Sequence, residues 1–186
     1  GVRRARLDAF AERFCAAGYA CLVFDYRHFG DSTGMPRELL RVHLQREDYR
    51  AAISHARGLA EVDPERVILW GTSFSGGHVI ATAAEDHRVA AAIAQCPFTD
   101  GIASVLAINP ITSSKLTALA LQDVALALRG QGPIRVPLVG LPGETALMTA
   151  PDAKPGYDAV LDSAGYDVPK DMAARVALDV LRARPG

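Results

Sequence analysis

The residues best placed to do chemistry are Gly71, Thr72, Ser73, Phe74 and Ser75, followed by Gly76 and Gly77, directly behind the apolar run RVILW at 66–70. A serine with a small residue two positions to each side, between a strand and a helix, has the form of a nucleophile elbow. The chemistry explains the spacing. So tight a turn leaves room only for small flanking side chains, and it lifts the serine hydroxyl above the sheet at a helix N-terminus. Ser73 is thus the candidate nucleophile. The N–H of Phe74 is the candidate oxyanion donor, working in the field of the helix dipole. Ser75 stands where the pattern usually has a second glycine, and it is still small. A plain Gly/Ser turn is the bland alternative. A dinucleotide-type phosphate loop fits worse, because position 73 is not glycine and Asp25 lies upstream of the motif.

These residues need a strand before them and helices around them, and the periodicity supplies both. Leu7, Phe10, Ala11 and Phe14 recur at helical spacing, with Gly18 as the stop, which predicts a helix over 4–17. The run ACLVFDY at 20–26 reads as a buried strand feeding the loop Gly30 to Gly34. A second helix is expected over 38–59, with Leu40, Leu44, Tyr49, Ile53 and Ala56 on one face. Strands at 66–71 and 89–95 flank a helix at 75–85. Such alternation argues for βαβ crossovers and a parallel sheet, hence the α/β class, with the three strands 20–26, 66–71 and 89–95 as parallel neighbours. Beyond Pro97 the alternation stops. Residues 101–169, including an apolar helix at 114–128, read as a cap-like insertion, and a last helix is expected from about Lys170 to Arg182. The domain reading is therefore a nucleophile half at 1–100, an insertion at 101–169 and a C-terminal helix at 170–186.

Composition narrows the function classes. The 186 residues suffice for one domain with a core, and a net charge of -1 provides no field for nucleic acid or anionic membrane. Three cysteines, Cys15, Cys21 and Cys96, show no metal-ligand spacing, so no metal or other cofactor is implied and a reduced, cytoplasmic setting is expected. No segment approaches the roughly 20 apolar residues of a spanning helix.

Other candidates are weighed singly. His28 leaves the carboxyl end of an expected strand, where sites of open α/β sheets collect, so His28 and Thr72 are placed at a pocket rim. Holding its own loop beside Asp31 and Ser32 is the heavier reading for His28. Asp25 reads as a structural acid bonded to Arg27 or a loop N–H, and Asp100 as a cap or turn residue. His43 and His55 read as surface residues, Trp70 as core filler and Cys96 as a small buried hydrophobe. The 113–128 helix would line an acyl pocket, pack on the core or meet a second subunit.

Three stretches together, FDYRHFGDSTG, GTSFSGGHV and QCPFTDG, resemble the bacterial α/β-hydrolases related to serine aminopeptidases and X-Pro dipeptidyl-peptidase-like esterases. The likeness is good over about residues 1–101. It implies a three-layer parallel sheet and a serine hydrolase that cleaves a small carboxylic ester, with a peptide amide less favoured, through an acyl-enzyme on Ser73. It also implies an oxyanion loop of which Gly1 and Val2 would be the tail, and further strands ahead of it. The family's acid and histidine follow the serine. His78 and His87 are too close to the elbow helix for that role, and none of Asp152, Asp158, Asp162, Asp167, Asp171 and Asp179 sits in a recognisable strand-end loop. Neither triad partner is assigned. The chain alone is expected to hydrolyse activated esters poorly and to associate through an open sheet edge, as a homodimer or larger aggregate. The rival expectation is a non-catalytic binding or interaction module on the same fold.

Overall fold

The computed structural model describes residues 6–164 and 169–184. In chain order the elements are α1 (Leu7–Ala16), α2 (Val42–Arg57), β1 (Ile68–Thr72), α3 (Phe74–Glu85), β2 (Ala91–Gln95), α4 (Gly101–Leu106) and α5 (Pro110–Leu128). There follow β3 (Arg135–Pro137), α6 (Ala153–Ala164), β4 (Asp171–Ala173) and α7 (Val176–Val180). They gather into two compact units. The first comprises residues 1–40 and 104–179, and the second comprises 41–103 and 180–186.

The second unit is built on one βαβ element. β1 and β2 pair in parallel, with Ile68 opposite Ala91 and Thr72 opposite Gln95, and α3 connects them. α3 buries Gly76, Gly77, His78, Val79, Ala81 and Thr82, so a helix made largely of small residues lies close to the strands. α2 packs on α3. Its buried stripe is Val42, Gln45, Tyr49 and Ile53; of the expected face, Leu44 is only half-buried, while Leu40, ahead of the helix, is buried. Tyr49 and Ile53 keep their expected place, and the Tyr49 hydroxyl donates to the Trp70 carbonyl at 3.2 Å. β2 is open to solvent along most of its length, and Ile93 is 46% exposed.

In the first unit, α1 buries no residue. α5 begins at an Asn109 cap whose side chain accepts from the Ile111 N–H, with Pro110 in the first turn where a missing N–H costs nothing. It buries Thr112, Leu116, Ala120 and Asp123, one stripe of the helix, and Leu116 joins Val136 and Ala174 in an apolar core. Asp123 is fully buried and serves as a hub. One of its oxygens accepts from Ile134 N at 2.9 Å, and the other from Arg175 N at 2.8 Å and Arg175 Nε at 2.9 Å.

Two expected elements are corrected. Residues 20–26 join no ladder, and the parallel pair is β1 and β2 alone among the described residues. Strand formers make a strand only where a neighbouring backbone offers partners, and none pairs with this run. The helix expected over 170–182 is a short strand and a short helix. There β4 pairs antiparallel with β3, Ala173 N donates to Glu38 O and Ala174 N donates to Ile134 O, so backbone partners outside the segment override its helical spacing. Within 101–169 the one strand, β3, belongs to this separate antiparallel pair and not to the parallel sheet. No helix of the described residues is long and apolar enough to cross a membrane.

Candidate active site

Ser73 sits where β1 ends and α3 begins. It is exposed, with φ 54° and ψ −118°, a backbone state that a residue with a Cβ rarely adopts and that costs about 1–3 kcal/mol. Three contacts hold it. Ser73 N donates to Gln95 O at 2.9 Å, and Ser73 O accepts from Phe98 N at 2.8 Å and from Gly77 N at 3.4 Å.

The small flanking residues are small because backbone fills the space beside them. A Cβ on Gly71 would lie 2.4 Å from Ser75 O, one on Gly76 would lie 2.9 Å from Pro97 Cα, and one on Gly77 would lie 2.2 Å from Phe98 O. Ser75 takes part in this crowding through its own carbonyl, and its side chain is tolerated. Thr72, half-buried, closes the ladder opposite Gln95. Phe74 is the first residue of α3, so its N–H has no carbonyl four residues back and is available to an acceptor beside Ser73.

Beneath the turn, the Phe74 ring meets the His78 ring edge-on at 5.1 Å and tilts against Phe98 at 5.0 Å. His78 is 3% exposed, and its Nε2 lies 2.9 Å from Gln45 Oε1. Burial, reinforced by the charge of Arg46, lowers its pKa to about 4, so the ring is neutral at pH 7 and already engaged. It is a wall of the turn. His87 is exposed just after the helix, and His43 and His55 are exposed on α2, as their sequence context predicts.

In the first unit, His28 has φ 71° and is half-buried. Its N–H donates to Thr33 O at 2.8 Å and its carbonyl accepts from Glu38 N at 2.9 Å, which places it in its own loop. Its Nδ1 finds no hydrogen-bond partner among the described residues. Asp25 holds that loop. A carboxylate oxygen accepts from Asp31 N at 3.1 Å and its carbonyl from Ser32 Oγ at 2.7 Å, while Arg37 donates to Gly30 O at 2.6 Å and Ser32 O at 2.5 Å. Asp100 accepts from Ile102 N at 2.8 Å and Ala103 N at 2.9 Å, a helix cap. Cys96 is a correction: it is exposed, at φ 43°, just beyond the end of β2.

Among the downstream acids, Asp158 pairs with Lys154 at 2.5 Å and Asp179 is buried. Asp167, Gly1 and Val2 lie outside the described residues. The sequence reading passed over Asp123; its signal was a lone carboxylate in the apolar helix sequence LALQDVALAL. Among the described residues no group of three or more His, Cys, Asp or Glu is placed to hold a metal.

Comparison with known proteins places this geometry. The family described as serine aminopeptidase, S33, matches residues 3–138. The quorum-quenching protein AidA of Acinetobacter baumannii is 59% identical over 186 residues, all of this chain and 61% of that protein. The thiohydrolase apmlB of Arthrinium phaeospermum is 36% identical over 137 residues, covering 72% of this chain and 43% of its own length. The crystal structure of the α/β-hydrolase GrgF from Penicillium superposes with a TM-score of 0.80 at 29% identity, covering 97% of this chain and 60% of that one. This chain therefore spans about 61% of the length of its Acinetobacter relative. With an elbow-shaped turn on a parallel βαβ element and a family match over most of its length, the chain belongs to the serine aminopeptidase S33 family of α/β-hydrolases.

Proposed function

We propose that Ser73 is the nucleophile of a serine hydrolase that cleaves a small carboxylic ester through an acyl-enzyme. The observation that carries this reading is the exposed, positive-φ Ser73, held by Gln95 and Phe98 at the head of α3. Ser73 Oγ attacks the carbonyl carbon while its proton passes to a base, and the oxyanion forms against the Phe74 N–H. The leaving alcohol departs with a proton, and water then hydrolyses the acyl-serine. The name of the Arthrinium relative extends the candidate class to thioesters, which present the same carbonyl with a thiol leaving group. The base and the triad acid are assigned to no residue described above.

The test uses the full-length protein that carries this sequence, with p-nitrophenyl esters, an acyl thioester and a fluorophosphonate probe. Turnover and labelling are expected to vanish together in Ser73→Ala, with a loss on the order of a millionfold in turnover. If the full-length protein neither turns over these substrates nor takes the probe at Ser73, the chain is a binding or interaction module on a hydrolase fold.

A further inference from the structure

The turn after α1 brings two thiols together. Gly18, at φ +90°, reverses the chain, with Gly18 N donating to Cys15 O at 2.9 Å and Tyr19 N to Phe14 O at 3.1 Å. The returning strand of chain runs back along the helix. The Cys21 thiol consequently lies 3.6 Å from Ala11 O, and Ala11 and Cys15 stand one turn apart on the same face of α1. Cys21 is within hydrogen-bond reach of Cys15, and both cysteines are exposed.

We propose that Cys15 and Cys21 form a dithiol site that a hydroperoxide closes to an intramolecular disulfide. The thiolate of one cysteine attacks the peroxide O–O bond, leaving a sulfenic acid and expelling hydroxide, which takes up a proton to become water. The sulfur of the second attacks the sulfenic sulfur, the S–O bond breaks, and a second water leaves. Two thiols and hydrogen peroxide become one disulfide and two waters, each sulfur losing one electron and the peroxide gaining two. Burial, then the hydrogen bond with Cys15, pushes the Cys21 thiol up. Cys96, the one cysteine of the second unit, is an internal control. It is as open to solvent but has no neighbouring thiol within its unit, and it is expected to persist or to climb the oxidation ladder singly.

The experiment treats the reduced full-length protein with hydrogen peroxide and counts the thiols of these positions. Three are expected to fall to one. Trypsin leaves Cys15 and Cys21 in one peptide, 14–27, whereas cleavage after Tyr19 separates them. The two halves should therefore remain joined until a reductant is added. Cys15→Ser and Cys21→Ser should each abolish the joined product, and Cys96→Ser should not. Separate peptides after oxidation, loss of Cys96 ahead of the pair, or cross-links chiefly between molecules would each overturn the proposal.

Discussion

The two units are held at their critical places by opposite means. In the second unit the Ser73 turn is shaped by side chains that are missing: Gly71, Gly76 and Gly77 let backbone approach backbone to distances that a Cβ would forbid. In the first unit, charged side chains reach across to backbone groups. Asp123 gathers Ile134 and Arg175, Asp25 gathers the 31–32 turn, and Arg37 gathers Gly30 and Ser32. One unit is broken by adding atoms and the other by removing them.

The largest effect is expected in the first unit at Asp123→Ala. It strands Arg175, whose side chain is 9% exposed, and orphans the Ile134 N–H, for a loss of about 3–5 kcal/mol in urea unfolding. A loss under about 1 kcal/mol would erase the contrast between the units. Second is an acid effect confined to the second unit. Folding lowers the His78 pKa to about 4 from its ordinary 6.5, so below pH 6.5 the unfolded chain binds a proton that the folded one does not. Stability should therefore decline as pH falls from about 6.5 to 4, by on the order of 3 kcal/mol, and His78→Leu should flatten the profile. A decline that survives in the variant would move the cause to another group.

Gly77→Ala sharpens the comparison next. Its methyl meets the Phe98 carbonyl, which should cost about 1–3 kcal/mol and also remove probe labelling at Ser73. Retained labelling at full rate would mean that the turn tolerates a shift there. The smallest effect is expected at Arg37→Met, which keeps the stem but loses two donors to a part-buried loop, about 1 kcal/mol.

The same contrast governs what the sequence disclosed. Close backbone approach demands small residues at fixed spacing, so GTSFSGG records the turn in letters, and the strands and helix on either side of it fell where their periodicity put them. Side-chain hubs leave no such record. Asp123 is one carboxylate among many, and its partner Arg175 lies 52 positions away. The segment from Lys170 to Arg182 departs from the expected helix for a related reason: Arg175 is claimed by Asp123 and Ala173 by Glu38, partners far away in the chain. Residues 20–26 carry the right composition for a strand and lack a paired backbone, a condition that composition cannot express. Cys96, at a strand end with no paired histidine, reads as a small buried hydrophobe, and its exposure is not written in that context.

The crowding around Gly71, Gly76 and Gly77 separates a holder from its tool. The hydrogen bonds described at position 73 all fall on its backbone, through Gln95, Phe98 and Gly77, and the residue itself is exposed. A thiol has the same reach from the same Cβ. Exchanging Ser73 for Cys should leave the mount undisturbed and alter only what is mounted, whereas the glycines around it admit no such exchange.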